Sequence, residues 1–391
     1  MSGQMGTQRE IGLFMPGTPG FFSDVLLGAQ EFGRGRWCVE TAVRKLEAEA
    51  TTQRWKPDGL LISTYGADWE PLITRLCVPT VLIGGDALPH YPRVLTDDVA
   101  IGRTAAEYFL DRGFRHFAYC GYAFDWAQRR GDAYHARLAE NGADCHRFDT
   151  RAGDIHTSTV GTVLADWLSQ LPTPVAVFAC HDRVAMLLAH ACNRAGLAVP
   201  DAIALLGVDN NPLETGFTVP PISSVIGSAR RIGYEAAALL EKLIDSGKPP
   251  AAPIRVAPAG VHERGSTDLY ACDDADVIAA LRFIRDHADE PISVSDVAKA
   301  VIVTRRMLER KFQSALQRSP HHQILKAHLD LAKKLLITTN WSMLDVALRS
   351  GFQSASRLSD VFSQQIQLTP TAFRRLYGMA NLDRGGPAVS R

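Results

Sequence analysis

The sequence predicts an α/β domain of two similar lobes with a cleft between them, followed by an all-α domain with two helix-turn-helix motifs. Three observations predict it. Over the first 265 residues, short apolar runs alternate with amphipathic helical stretches. After "DLYACDDAD" (268–276) the chain reads as helical to its end, without a convincing strand. The charge divides at the same place. From residue 275 onward, 17 Lys and Arg stand against 10 Asp and Glu, whereas the preceding 274 residues carry 25 and 32. A basic tail on an acidic body is the footprint of a polyanion-binding module joined to something else.

In the body, "REIGLFM", "DGLLIS", "PTVLIGG", "RHFAYCG", "PVAVFAC" and "AIALLGVD" are near-continuous apolar runs, as strands of a parallel sheet buried on both faces should be. "DDVAIGRTAAEYFLDRG" is an amphipathic helix that begins on an acidic cap and stops at Gly113. "DSGKPPAAPIRVAPAGVHERGSTD" then breaks the βα rhythm with prolines and glycines, which places a domain boundary near 268–275.

In the tail, "ISVSDVAKAVIVTRRMLERKF" divides into two helices about a tight turn. Ser293 and Ser295 offer caps to the first, and Val294, Val297, Ala298 and Val301 form its apolar stripe. Thr304 caps the second, with Met307, Leu308 and Phe312 expected inside and Arg305, Arg306, Glu309, Arg310 and Lys311 outside. "PHHQILKAHLDLAKKLLITTN" makes a long connecting helix, and "WSMLDVALRSGFQSASRLSDVF" repeats the short helix, turn, helix design. Leu344, Val346 and Ala347 are read as the inner face of its first element. Gly351 supplies the left-handed stop, Ser354 the next cap, and Leu358, Val361 and Phe362 the buried stripe. Units about 50 residues apart on one rigid helix suit adjacent turns of one DNA face, roughly 34 Å apart.

Other classes are excluded on the residues present. No run of about 18 apolar residues occurs, and the N-terminus lacks the basic-then-apolar pattern of a secretion signal, so a cytoplasmic protein without membrane contact is expected. Seven scattered cysteines without a CxxC pair read as reduced thiols. No phosphate loop, nucleophile elbow or HExxH motif is present, and His321-His322 has the wrong spacing for a helical metal pair. Neither catalysis, nor a metal, nor a cofactor is expected. An enzyme with a sugar-binding cleft is the distant alternative, and His181 beside Asp182 is its only support.

Candidate ligand residues lie where open α/β sheets gather ligands, beyond the carboxyl ends of strands. Asp182 and Asp209 follow two of those ends; a carboxylate can accept from two neighbouring hydroxyls, the pattern a sugar displays. Structural readings stand beside both, Asp209 as part of the turn "DNNP" and Asp182 as a helix cap. Phe21 and Phe22 are expected in a loop after the first strand, and Trp126, Arg129 and Arg130 open a helix after another. Aromatic faces stack on the C–H faces of a sugar ring, and Arg donates to hydroxyl oxygens.

The tail resembles the DNA-binding domain of AraC/XylS-type transcription regulators, through "DVAKAVIVTRRMLERKF", "HLDLAKKLL", "SMLDVALRSGF" and "LTPTAFRRLY". That resemblance implies seven helices and two helix-turn-helix motifs in successive major-groove segments. Thr304, Arg305, Arg306, Glu309 and Arg310 would serve the first recognition helix, and Ser354, Ala355, Ser356, Arg357 and Asp360 the second. The family usually carries a basic residue where Asp360 stands, so this end should hold phosphate weakly. The body resembles the periplasmic-binding-protein-like sensor of LacI/GalR-type regulators. "VLTDDVAIGRTAAEYFLDRGFRHFAYCG", "VFACHDRVAMLLAHACNRAGLAVPDAIALLGVDN" and "ISSVIGSARRIGYEAAALLEKLI" carry that match. It implies that Arg130, Asp182 and Asp209 bind sugar, with Phe21, Phe22 and Trp126 in the cleft.

The pairing itself resembles a bacterial family of D-xylose-responsive operon regulators. It implies D-xylose as effector, operator DNA as partner, a homodimer through the sensor domain, and RNA polymerase as a further partner if the protein activates. A repressor, or a response to another small sugar, is the alternative. The expected division is sensor 1–268, linker 269–275, DNA-binding domain 276–380 and a disordered tail 381–391. Lobe one is expected over about 8–114 and 229–248, and lobe two over about 115–228 and 249–265.

Overall fold

The computed structural model describes residues 8–15, 20–40, 55–63, 70–84, 88–150, 160–272 and 274–378. The expected tail at 381–391 lies outside them. Two six-stranded sheets form the body. The first contains β1 (Arg9–Phe14), β2 (Trp37–Glu40), β3 (Gly59–Ser63), β4 (Thr80–Ile83), β5 (Arg93–Thr96) and β11 (Ile254–Val256), in the order β11-β5-β4-β3-β1-β2. The second contains β6 (His116–Tyr122), β7 (Cys145–Thr150), β8 (Val175–Ala179), β9 (Ile203–Val208), β10 (Ser223–Val225) and β12 (Val261–His262), in the order β12-β10-β9-β8-β6-β7. All pairings are parallel except β10 with β12. The central strands β3, β4, β8 and β9 are buried along their whole length, which is why they read as apolar runs.

The lobe boundaries differ from the expectation. Helix Asp98–Leu110, assigned by sequence to lobe one, packs in the second lobe: Ile101, Ala105, Tyr108 and Phe109 share a core with Phe117, Tyr119 and Phe178. Its contact with helix Asp125–Ala139 is close because a Cβ on Gly102 would stand 2.2 Å from the Arg130 carbonyl oxygen. Conversely, β11 lies within the stretch assigned to lobe two, yet Ile254, Arg255 and Val256 pair with Val94, Leu95 and Thr96 of lobe one. Helix Ala229–Ser246 does belong to lobe one, where Ile232, Ala236 and Leu240 pack on Val25 and Ala29. The chain therefore crosses between lobes three times: between β5 and helix Asp98–Leu110, between β10 and helix Ala229–Ser246, and between β11 and β12. A hinge between the lobes is made of these segments.

The C-terminal domain has seven helices among the described residues: Ala275–Asp286, Val294–Ala300, Arg305–Leu316, Pro320–Thr338, Met343–Leu348, Ala355–Ile366 and Pro370–Tyr377. The expected caps are formed. Ser293 and Asp296 close a capping box, Thr304 Oγ1 accepts from Met307 N at 3.2 Å and Ser354 Oγ from Arg357 N at 3.2 Å. Gly351 takes φ +75° between the last two helices of the second motif. Two side chains expected inside are outside: Met307 is 40% and Leu344 53% exposed. Each sits a third of a turn off its stripe, which runs Leu308-Phe312-Leu316 in one helix and Met343-Val346-Ala347 in the other.

Candidate functional site

The carboxyl ends of the two sheets face each other. Gly20, which opens helix Phe21–Gly33 in lobe one, takes φ +114°, and its Cα approaches Asn211 of lobe two so closely that a Cβ would stand 2.7 Å from the amide nitrogen. Around this meeting point lie the ends of β6, β8 and β9. On lobe two, Tyr122, Phe124, Trp126 and His181 make an aromatic wall. Trp126 stacks on Phe124 and His181 at interplanar angles of 21° and 22°, and Tyr122 meets His181 at 5.0 Å. Burial, aided by Arg130 and Arg183, pushes the His181 imidazole down to about 3, so the ring is neutral and its Nδ1 accepts from Val184 N.

Arg130 is 4% exposed and lies beside this wall, its guanidinium 4.8 Å from the Trp126 ring. It donates from Nε to Asp98 Oδ1 at 3.0 Å and from an Nη to the Cys180 carbonyl at 2.6 Å, while Arg129 reaches the other Asp98 oxygen at 3.0 Å. The two aspartates have distinct roles. Asp182 is fully buried, and its carboxylate accepts from Ser224 Oγ at 2.6 Å and from Asn211 N at 2.7 Å. It therefore fixes the turn after β9. Asp209 occupies that turn at φ 98°, and its Oδ1 is buried with no hydrogen-bond partner. Burial raises both carboxyls above their ordinary range; for Asp182 the neighbouring Asp209 adds to it, and for Asp209 the Arg130 charge opposes it while Asp98 and Asp24 add to it. A desolvated carboxylate oxygen without a donor is costly, and a ligand hydroxyl would satisfy it.

A second candidate surface lies in the helical domain. Arg305, Arg306, Glu309 and Arg310 are exposed, with Arg305 Nε paired to Glu309 Oε1 at 2.9 Å. Arg306 and Arg310 are four apart and so share one side of the helix, a basic face that can enter a major groove. Lys311 is not part of that face: it is drawn to Asp274 at 2.7 Å and Asp276 at 3.0 Å, at the start of the domain. On the second recognition helix Ser356, Arg357 and Asp360 are exposed, while Leu358, Val361 and Phe362 are buried.

Comparison with known proteins matches a periplasmic binding protein-like domain over residues 106–267 and a helix-turn-helix domain over 297–376. The xylose operon regulatory protein of Escherichia coli strain K12 is 30% identical over 332 residues, covering 82% of this chain and 84% of that one. The protein of the same name from Haemophilus influenzae is 29% identical over 81% of this chain and 84% of its own length. The chain belongs to the xylose operon regulatory protein family. A solved structure described as a xylose-binding transcription activator aligns over 96% of this chain and its own full length, with a TM-score of 0.61 at 26% identity. A LacI-type regulator from Alkaliphilus metalliredigens shares the sensor fold, at a TM-score of 0.54 and 15% identity.

As a member of the xylose operon regulatory family, the chain brings together four of the six sugar candidates read from sequence: Trp126, Arg130, Asp182 and Asp209. The phenylalanines differ. Phe21 and Phe22 form the first turn of a helix rather than a loop, in edge-to-face contact at 5.3 Å, with Phe22 only 8% exposed. Phe22 is buried, and half-buried Phe21 packs against the core of lobe one. Sequence reasoning missed Tyr122, Phe124 and Asp98. Tyr122 and Phe124 were legible as the aromatic pair directly after "RHFAYCG", whereas the Asp98–Arg130 pair joins residues 32 apart and has no local signal. A cavity of about 500 Å³ lies away from the cleft, between Gly113–Phe117, Asn141–Asp144 and Ser314–Arg318. It belongs to the seam between domains. No helix among the described residues is long and apolar enough to cross a membrane.

Proposed function

We propose that this chain is a D-xylose-responsive transcription activator that binds operator DNA as a homodimer through its sensor domain. The observation that carries the sugar half is the buried, unpartnered Asp209 Oδ1 within reach of the Arg130 charge, Arg130 itself lying against the Trp126 ring. An acceptor, a fixed donor and an aromatic face within one cleft are the chemistry of a small polyol, and relatives of the same layout bear the names of xylose operon regulators. Sugar hydroxyls donate hydrogen bonds to Asp209 and accept them from the arginines, and the sugar closes the lobes about the three crossings. The DNA half is carried by Arg306 and Arg310 on the exposed face of the first recognition helix, with Ser356 and Arg357 adding contacts from the second.

Thermal unfolding of the full chain against pentoses and hexoses tests the sensor. At a hundredfold excess over Kd, a ligand that binds only the folded chain stabilises it by about 2.7 kcal/mol. D-xylose is expected to raise the melting temperature more than D-ribose, L-arabinose or D-glucose. If another of these sugars gives the larger shift, the effector is that sugar; if none shifts it, the cleft is not a monosaccharide site.

A further inference from the structure

Helix Asp98–Leu110 is engaged by charge at both ends, and the two ends serve different sites. At its start Asp98 receives Arg129 and Arg130 beneath the aromatic wall. Just past its end, Asp111 is 4% exposed, and its carboxylate meets Lys326 Nζ at 2.5 Å and Arg318 Nε at 3.4 Å. One turn earlier Glu107 Oε2 accepts from the same Arg318 at 2.5 Å. Arg318 follows the first recognition helix by two residues, and Lys326 is on the connecting helix Pro320–Thr338. The 13 residues of helix between the two ends make a rod about 20 Å long.

The second helix-turn-helix unit is fastened elsewhere. Ile226 and Ala259, from two of the three lobe crossings, pack into its core with Leu329, Val346, Phe362 and Phe373. The Tyr377 hydroxyl donates to the Ala257 carbonyl at 3.4 Å, and the Arg231 guanidinium lies 5.4 Å from the Tyr377 ring. The connecting helix carries Lys326 near one end and Leu329, Ala332 and Leu336 within the second core, so the two units move as one body. That body is held by lobe two through Asp111 and touches lobe one through Arg231 of helix Ala229–Ser246. Rotation of one lobe against the other therefore works against one attachment or the other.

We propose that helix Asp98–Leu110 and the Asp111 ion pairs transmit sugar-driven lobe rotation to the DNA-binding domain, so that cleft occupancy sets how both units meet DNA. This deepens the reading of the chain as a sugar-responsive regulator and rests on it. Asp111 acts as a positioning residue: it touches neither sugar nor DNA. The test uses the full chain and a duplex that the wild type selects from a random-sequence pool. DNA affinity is measured by fluorescence anisotropy with and without saturating D-xylose, and D-xylose affinity by calorimetry. Wild type should show a change in DNA affinity of about fivefold or more on adding sugar. In Asp111→Asn and, from the other side of the seam, Lys326→Gln, that ratio should fall to within about twofold of one while each ligand alone still binds. Lys326→Gln leaves the Asp111–Arg318 pair in place and guards against a folding defect in the buried variant. An undiminished ratio in both variants overturns the proposal, as does loss of D-xylose binding in both. A wild-type chain without any D-xylose response instead overturns the sugar-responsive reading itself, before a variant is made.

Discussion

Asp182 and Asp209, just past the ends of neighbouring strands β8 and β9, show how two nearby acids acquire different surroundings. Asp182 has donors from Ser224 and Asn211, whereas Asp209 Oδ1 has none and borders Arg130. Replacing Asp209 by Asn should therefore weaken sugar binding by about 2 kcal/mol, some thirtyfold in Kd, because a charged acceptor is lost. The same change should raise the melting temperature of the sugar-free chain by removing a desolvated charge. The pH dependence has a definite sign. Both carboxyls are raised in the folded chain, so their contribution to stability is present below the ordinary carboxylate value and is lost as pH rises through the raised ones. The proposed sugar contact runs the other way: with an ionised Asp209 as acceptor, affinity should fall as pH drops from neutral through that raised value. Calorimetric titration from neutral pH down to the ordinary carboxylate value checks this, and a flat profile in wild type would remove Asp209 as the sugar's acceptor. On the DNA side, Arg306→Ala should relax base preference at one position by about 1–3 kcal/mol, read by competition among single-base variants of the selected site. Unchanged preference would reduce Arg306 to a phosphate contact.

At the scale of elements, helix Asp98–Leu110 depends on contact with helix Asp125–Ala139, made through Gly102 against the Arg130 backbone. Gly102→Ala should destabilise the fold by about 1–3 kcal/mol by forcing these helices apart. It should also weaken sugar binding, because Asp98 and Arg130 face each other across the same seam; an unaltered melting temperature would show that the pair can yield without cost. What sequence revealed at this scale followed burial. Central strands such as β8, "VAVFA", are apolar throughout and legible, whereas edge strand β7, "CHRFDT", carries polar groups and gives no apolar run. β11 and β12 are three and two residues long, too short for any periodicity. Three of the seven helix caps of the C-terminal domain, Ser293, Thr304 and Ser354, were read from sequence because a cap is a local pattern. Lobe membership was not. A helix that leaves one sheet and packs on the other is decided by partners distant in sequence, and Asp98–Leu110 carries no mark of which lobe it joins. The same limit hid the Asp98–Arg130 pair, while Trp126, Arg130 and Asp209 could be found from their place after strand ends.

Across the whole molecule, the sensor and the DNA-binding domain are not beads on a linker. Ala259 is 3% exposed and lies in a core built mainly by the second helix-turn-helix unit, and Leu316 of the first recognition helix packs toward Gly113 and Cys272. Interfaces that share buried side chains couple unfolding, so subglobal opening of the helical domain should depend on the state of the sensor. A ligand that binds only the folded sensor then stabilises both parts by linkage, even though it touches one. Hydrogen exchange gives the test. Saturating D-xylose should slow exchange in helices Met343–Leu348 and Ala355–Ile366 as well as around the cleft, by a factor that approaches the one seen in the central strands. The effect should shrink in Ala259→Asp, where a carboxylate enters the shared core without a partner and separates the domains. Protection confined to the sensor in the wild type would mean that the shared core opens independently of the cleft. The seam would then be a resting contact, not a route by which the sugar reaches DNA.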